Sequence, residues 1–134
     1  MRIERIQTDP DPYEQFRLAQ AYRVGDLVFV SGQAAIDEHG QVVGEGDFDA
    51  QAEQTFRNLE RVLAAGASSL ANIVKVTIFL TDMGNFPTIV ELRGTWFTPP
   101  YPADTIVEVT SLALPELMIE IEAIAVVDEA VERM

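Results

Sequence analysis

The sequence predicts an α/β (α+β) fold, in which one mixed β-sheet carries two helices on one of its faces. Six stretches have the alternating or β-branched apolar pattern of strands. Two further stretches repeat their apolar residues at helical spacing, which gives the order β-β-β-α-β-α-β-β. The chain has 134 residues, a length that suits a single hydrophobic core, so we expect one domain spanning residues 1–134.

The first three strands are expected before residue 33. "RIERIQT" alternates as a strand does and ends at the two prolines of "DPDPY". A hairpin follows, with arms at residues 18–24 and 27–32 and a turn at "GD". The glycine-rich "DEHGQVVGEGD" lacks the spacing and the lysine of a phosphate-binding loop, so we interpret it as a connection. His39 within it is interpreted as a solvated turn residue.

The first helix is expected from Asp47 to Gly66. Asp47 or Asp49 would cap its first turn, and Gly66 would end it. Residues 73–81 are rich in β-branched side chains and predict a central strand. One helical stripe contains the expected core positions of the helix, which are Ala52, Phe56, Leu59, Val62 and Leu63.

The second helix is expected in "NFPTIVELRGTWF", where a proline suits the first turn. "PPYP" would end it. Two strands, at residues 105–112 and 117–127, are expected to be neighbours joined by the short "ALPE" connection. The predicted core residues of this helix are Phe86, Ile89, Trp96 and Phe97.

Both sides of the last strand carry apolar residues. Ile119 and Ile121 lie on one side, whereas Ile124 and Val126 lie on the other. A sheet with one solvated face does not need this pattern, so we expect another subunit to cover the face away from the helices. The alternative is a solvated face with scattered aliphatic side chains, which are common on protein surfaces.

The charge balance excludes several kinds of partner. The formal net charge is −13, with 22 acidic and 9 basic residues. Nucleic acids and anionic membranes attract positive surfaces, so we expect neither as a partner. With no cysteine and one histidine, neither a disulfide nor a metal site is expected. No run of 18 apolar residues occurs, and "MRIERIQTDPDP" lacks the core of a signal peptide, so a cytoplasmic location is expected.

Two carboxylates are the candidate catalytic residues. Asp104 opens the strand of "PYPADTIVEV", and Glu120 lies within "LMIEIEAIAVV". If they shared one desolvated cleft, their pKa values would separate and one of them could act as a general acid. Alternatively, Asp104 has a structural role, as a cap or as the partner of a neighbouring subunit's basic residue. The candidates for that residue are Arg17, Arg23 and Arg93.

Four segments together resemble the RidA/YjgF family of reactive intermediate deaminases. They are "VGDLVFVSGQ", "AQAEQTFRNLERVLAAGASSLANIVKVTIFLTDMGNF", "PADTIVEV" and "IEIEAIAV", in that order and spacing. The resemblance implies a chorismate-mutase-like (YjgF-like) fold in a homotrimer with a central β-barrel, and small-molecule clefts between subunits. Typical members hydrolyse 2-aminoacrylate and related enamines or imines to a 2-keto acid and ammonia, without cofactor or metal.

The resemblance implies a change at the position that binds the substrate carboxylate. Typical members have an arginine after "PA", whose planar fork binds a carboxylate through two hydrogen bonds. In this sequence the residue there is Asp104. Two unit charges about 4 Å apart interact by roughly 4 kcal/mol at an effective dielectric near 20, so attraction would become repulsion. We therefore expect little 2-aminoacrylate activity and an altered specificity, for a neutral or cationic substrate that pairs with Asp104.

The other implied site positions are partly changed. Glu120 matches the family glutamate that assists the attacking water. Leu18 stands where typical members have a tyrosine, and Val90 stands where they have an asparagine. Ser31 and Gly32 of "VSGQ" match, and their backbone is expected to line the cleft.

Three functions remain open from the sequence. The first is an enamine or imine hydrolase in which Glu120 positions or deprotonates water and Asp104 binds the substrate nitrogen. The second is a non-catalytic module that binds an amine or other small molecule in a cleft lined by Leu18 and Val90. The third is a structural or regulatory trimer in which Asp104 only stabilises the strand.

Overall fold

The computed structural model describes residues 1–134 and confirms the predicted order of strands and helices. The strands are β1 (Ile3–Ile6), β2 (Ala21–Val24), β3 (Leu27–Ala34), β4 (Ile73–Leu80), β5 (Ala103–Glu108) and β6 (Ile119–Val126). Helix α1 (Phe48–Ala65) follows β3, and α2 (Phe86–Trp96) follows β4. The six strands form one sheet in the order β1-β2-β3-β6-β4-β5.

The pairing of the last two strands differs from the prediction. β5 pairs in parallel with β4 at the sheet edge, and Asp104 lies opposite Val76. β6 lies between β3 and β4 and is antiparallel to both. The crossover through α2 makes β5 parallel to β4, and residues 109–118 are too long for a hairpin. They carry the chain back to the centre of the sheet, where β6 pairs along both of its edges and buries one of its faces against the core.

Several strand limits also differ. The first hairpin arm is shorter than predicted, since Leu18 precedes β2 and is not paired. Arg17, just before it, has a left-handed backbone conformation with φ of 59°, which redirects the chain into the strand. β3 continues to Ala34, and β5 ends at Glu108 rather than at residue 112.

Helix α1 forms the main core with one face of the sheet. Asp47 caps the N-terminus of α1, because its side-chain carboxylate accepts a hydrogen bond from the backbone N–H of Ala50 at 3.1 Å. Gly66 follows its last turn as predicted. All five predicted core positions are buried, namely Ala52, Phe56, Leu59, Val62 and Leu63.

Helix α2 is buried less than predicted. Ile89 and Phe97 are buried, and Trp96 stacks on a phenylalanine of α1 with ring centroids 5.2 Å apart. The prediction for Phe86 is wrong, because 39% of this residue is exposed. Phe86 is the first residue of α2, and its ring packs beside the guanidinium group of Arg93, 5.6 Å from the central carbon of that group.

The face of the sheet away from α1 carries an exposed apolar patch. Phe29 lies opposite Tyr22 in β2 and opposite Ile124 in β6. Phe29 and Tyr22 are each 42% exposed, and Leu27 beside them is 39% exposed. We call these four residues the open sheet face. None of the helices has the length and apolar character needed to cross a bilayer.

Candidate functional site

The first candidate site is a cavity of about 210 Å³ around Glu120 of β6, which we call the Glu120 cavity. Its walls are mostly apolar and come from β3, from β6 and from the segments before β2 and β6. Glu120 is the only carboxylate in its lining. The lining residues discussed below are Tyr13, Leu18, Gly32 and Glu120.

A bulge in β3 shapes this cavity. The register between β3 and β6 shifts in the middle of β3, at Ser31 and Gly32. A Cβ atom on Gly32 would lie 2.7 Å from Cδ of Glu120, so any other residue here would force the Glu120 side chain to move. The Ser31 hydroxyl donates a hydrogen bond to the carbonyl of Ala19 at 2.6 Å and thereby fixes the segment that leads into β2.

Tyr13 is part of this site, although sequence reasoning missed it. Its hydroxyl donates a hydrogen bond to the carbonyl of Gly32 at 2.6 Å. Burial raises the pKa of the Tyr13 hydroxyl, and the nearby charge of Glu120 raises it further. The sequence offers no periodic signal here, because Tyr13 directly follows the proline-rich turn that ends the first strand.

Glu120 has the electrostatic environment of a proton-exchanging group. Burial against apolar walls raises the pKa of its carboxyl group, and the negative charge of Glu122 adds to the increase. A carboxyl group with a raised pKa is a stronger base when ionised, which suits it to take a proton from water and return it in the same reaction. The structure thus gives this predicted catalytic residue a suitable chemical setting.

The second candidate site is a cavity of about 440 Å³ between α2 and the start of β5, which we call the Asp104 cavity. Arg93 donates two hydrogen bonds to Asp104, from Nε to Oδ2 and from Nη2 to Oδ1, each 3.0 Å long. The two side chains are only 24% and 16% exposed. Val90, half exposed on α2, lines the same cavity.

The expected partner of Asp104 is therefore corrected. Arg93 of the same chain pairs with Asp104, and no neighbouring subunit is needed for this. Arg23 instead pairs with Asp26 and Glu129 on the surface. Because Asp104 carries a paired charge, the repulsion estimated for an isolated carboxylate at this position does not apply.

One chain does not bring all the predicted site residues together. Leu18, Gly32 and Glu120 line the Glu120 cavity, whereas Val90 and Asp104 line the Asp104 cavity. Ser31 borders a separate shallow depression, which also includes Tyr22 and Phe29 of the open sheet face. The two carboxylates do not share a cleft within one chain.

With this geometry established, comparison with known proteins identifies the family. Residues 7–127 match the family described as Endoribonuclease L-PSP. The RutC family protein y4sK of Sinorhizobium fredii is 40% identical over 123 residues, which cover 91% of this chain and 96% of that protein. The chain belongs to this family, that of the RidA/YjgF proteins.

Further RidA/YjgF relatives include a solved structure and a protein named for its reaction. The crystal structure of RidA from a Psychrobacter species matches with a TM-score of 0.83 and 35% identity, over 92% of this chain and 98% of that one. The 2-iminobutanoate/2-iminopropanoate deaminase of Dermatophagoides farinae is 32% identical over 127 residues, covering 95% of this chain and 97% of that protein. These matches confirm the predicted family and fold, while the roles of the individual site residues stay predictions.

Proposed function

We propose that this RidA/YjgF-family protein hydrolyses a reactive enamine or imine and releases ammonia, with a specificity altered by Asp104 in place of an arginine. The observation that carries the proposal is Glu120, a carboxyl group with a raised pKa in an apolar cavity beside the Gly32 bulge. The deaminase name of a relative that spans nearly the whole chain supports the same reaction class.

The proposed chemistry needs one group that moves protons. Glu120 takes a proton from water as the water oxygen bonds to the carbon of the protonated imine, which gives a neutral tetrahedral amino alcohol. Glu120 then returns this proton to the nitrogen, and the C–N bond breaks to release ammonia. The hydroxyl group gives its proton to Glu120 as the ketone forms, and this proton leaves with ammonia as ammonium. An enamine enters the same sequence after a proton is added to its carbon. These steps use no metal or cofactor.

The proposal includes assembly as a homotrimer with ligand clefts between subunits. The Glu120 cavity and the Asp104 cavity are separate in one chain, so a second copy is needed to bring Glu120 and Asp104 to one ligand. The exposed apolar residues of the open sheet face supply a surface for such contacts. A cytoplasmic location is also part of the proposal, and cell fractionation would test it.

Cleavage of RNA is not part of the proposal, although the family description contains the word endoribonuclease. A net charge of −13 repels a polyanion and offers no extended basic surface for phosphates. We therefore propose a small molecule, and neither nucleic acid nor a membrane, as the partner.

A non-catalytic binding protein of the same fold is the second candidate function. It is favoured by the Arg93–Asp104 pair, which occupies both carboxylate oxygens and gives Asp104 a structural role. In that case, ligands would bind in the clefts without turnover.

Imine hydrolysis distinguishes the two functions. An amino-acid oxidase would generate 2-imino acids from neutral, acidic and basic amino acids, and their decay would be followed with and without the protein. We expect wild type to accelerate decay and Glu120→Gln to lose roughly 10²–10⁴-fold of the acceleration. Glu60→Gln, on the exposed side of α1, is the matched control and should remain active. No acceleration by wild type, or full activity in Glu120→Gln, would refute the proposed hydrolase.

A further inference from the structure

The Arg93–Asp104 pair leaves one edge of the guanidinium group free. A guanidinium can hold a carboxylate along its side edge, through Nε and Nη2, or along its end edge, through Nη1 and Nη2. Asp104 occupies the side edge, with both hydrogen bonds at 3.0 Å. Within the chain, no other residue accepts a hydrogen bond from this guanidinium, so its end edge is available to a ligand.

The free edge is held in a fixed orientation. Asp104 fixes the plane of the guanidinium from one side, and the ring of Phe86 lies 5.6 Å from its central carbon. About three quarters of the Arg93 side chain is shielded from solvent. A guanidinium fixed in this way loses little conformational entropy when it binds a planar anion.

The surroundings suit a small carboxylate with a short carbon chain. The guanidinium borders the Asp104 cavity of about 440 Å³, whose other walls include Val90, Phe97 and Tyr101. Because the whole chain carries a net charge of −13, long-range electrostatics do not attract anions. A local, directional contact is therefore required for a carboxylate to bind.

We propose that the free edge of Arg93 binds the carboxylate of a small 2-imino or 2-oxo acid. Helix α2 thus supplies the carboxylate-binding guanidinium, and Asp104 is a positioning residue that orients it. The nearby negative charge of Asp104 weakens binding relative to a lone arginine, whereas the geometry still selects planar carboxylates. This inference rests on the proposed function for the identity of the ligand, and it gives the altered specificity a structural basis.

Direct binding of a reaction product tests the inference. Isothermal titration calorimetry at low salt would compare 2-oxobutanoate with its methyl ester, which lacks the carboxylate. We expect wild type to bind the acid and not the ester. Arg93→Gln should weaken binding of the acid by about tenfold or more, the effect of losing a charge-assisted hydrogen-bond pair. The double variant Arg93→Gln with Asp104→Asn avoids an unpaired carboxylate and should show the same loss.

Arg57 provides the matched control. It forms an ion pair with Glu53 at 2.8 Å and lies 5.7 Å from the ring of Trp96, so its contacts resemble those of Arg93. Arg57→Gln should leave the affinity for 2-oxobutanoate unchanged. Absence of binding to wild type, equal binding of acid and ester, or unchanged affinity in the double variant would each overturn the inference.

Parallel measurement of imine hydrolysis separates this inference from the proposed function. If 2-oxobutanoate binds in an Arg93-dependent way but no imine is hydrolysed, the proposed hydrolase is rejected. The proposed binding of carboxylates by Arg93 is then still supported. Alternatively, the protein could hydrolyse 2-imino acids with a KM that Arg93→Gln does not change for any of them. That result would support the proposed hydrolase and reject carboxylate binding by Arg93.

Discussion

Glu120 and Asp104 carry the same functional group in opposite electrostatic settings. Glu120 has apolar walls and a second carboxylate nearby, and these raise its pKa. Asp104 is held by two hydrogen bonds from Arg93. Both oxygens of Asp104 are occupied by Arg93, so Glu120 is the better candidate for acid–base chemistry and Asp104 for positioning.

The raised pKa of Glu120 predicts a pH-dependent effect of Glu120→Gln on stability. The folded protein holds this proton more tightly than the unfolded chain does, so wild type loses stability as pH rises from the ordinary glutamate range through the raised pKa. Glutamine removes that loss. Urea unfolding should therefore show a larger advantage of Glu120→Gln over wild type at about pH 8 than at about pH 4. An advantage of equal size at both pH values would contradict the raised pKa.

The Arg93–Asp104 pair should be coupled more strongly than a surface ion pair. Its side chains are largely shielded, so removing one leaves the other poorly solvated. A double-mutant cycle with Arg93→Gln and Asp104→Asn, measured by urea unfolding, should give a coupling energy of about 1–3 kcal/mol. The exposed Arg57–Glu53 pair is the control, with about 0.5 kcal/mol or less. Equal coupling in the two pairs would show that shielding has no energetic effect here.

At the scale of elements, the bulge in β3 determines the space for the Glu120 carboxyl group. The Cβ of Gly32→Ala would lie 2.7 Å from Cδ and 2.9 Å from Cγ of Glu120, so that side chain must move. We expect a modest loss of stability, about 1 kcal/mol, because the carboxyl group can turn into the cavity. A displaced catalytic group should lower kcat/KM for imine hydrolysis by roughly 10²-fold. If kcat/KM of Gly32→Ala is unchanged, the bulge in β3 does not contribute to the positioning of Glu120 for catalysis.

The helices were predictable from the sequence because their signals are local. The apolar side chains along one face of α1 and the N-terminal cap at Asp47 lie within a short stretch of sequence, and both are confirmed. The neighbours of β5 were not predictable in this way, because strand pairing joins distant segments. Its apolar pattern is equally compatible with pairing to β4 or to β6. A strand's position in the sheet therefore needs the path of the whole chain.

The candidate site shows the same limit at the level of single residues. Glu120 was found through its resemblance to a family segment, and Arg93 was one of three possible partners for Asp104. Tyr13 was missed, since its contact with Gly32 joins residues 19 positions apart and follows no repeating pattern. Side chains from separate segments meet only after the fold has formed.

At the scale of the whole molecule, the open sheet face predicts self-association. Phe29, Tyr22 and Ile124 are adjacent in register. Phe29 and Tyr22 are exposed and Ile124 is half-buried, so burying them against other copies would stabilise an assembly. Phe29→Lys places a charge there and should convert a trimer into monomers in size-exclusion chromatography with light scattering. Ala64→Lys adds the same charge on the exposed side of α1 and should remain trimeric. A monomeric wild type, or a trimeric Phe29→Lys, would contradict the assembly.

The separation of the two cavities within one chain has a genetic consequence. If each cleft takes Glu120 from one subunit and Arg93 from its neighbour, two impaired proteins can complement each other. Glu120→Gln subunits retain the guanidinium, and Arg93→Gln subunits retain the carboxyl group. Random co-assembly in equal amounts would restore about one cleft in four. Co-expression of the two alleles should then give more activity than either allele gives alone, whereas sites contained within single chains would give no such gain.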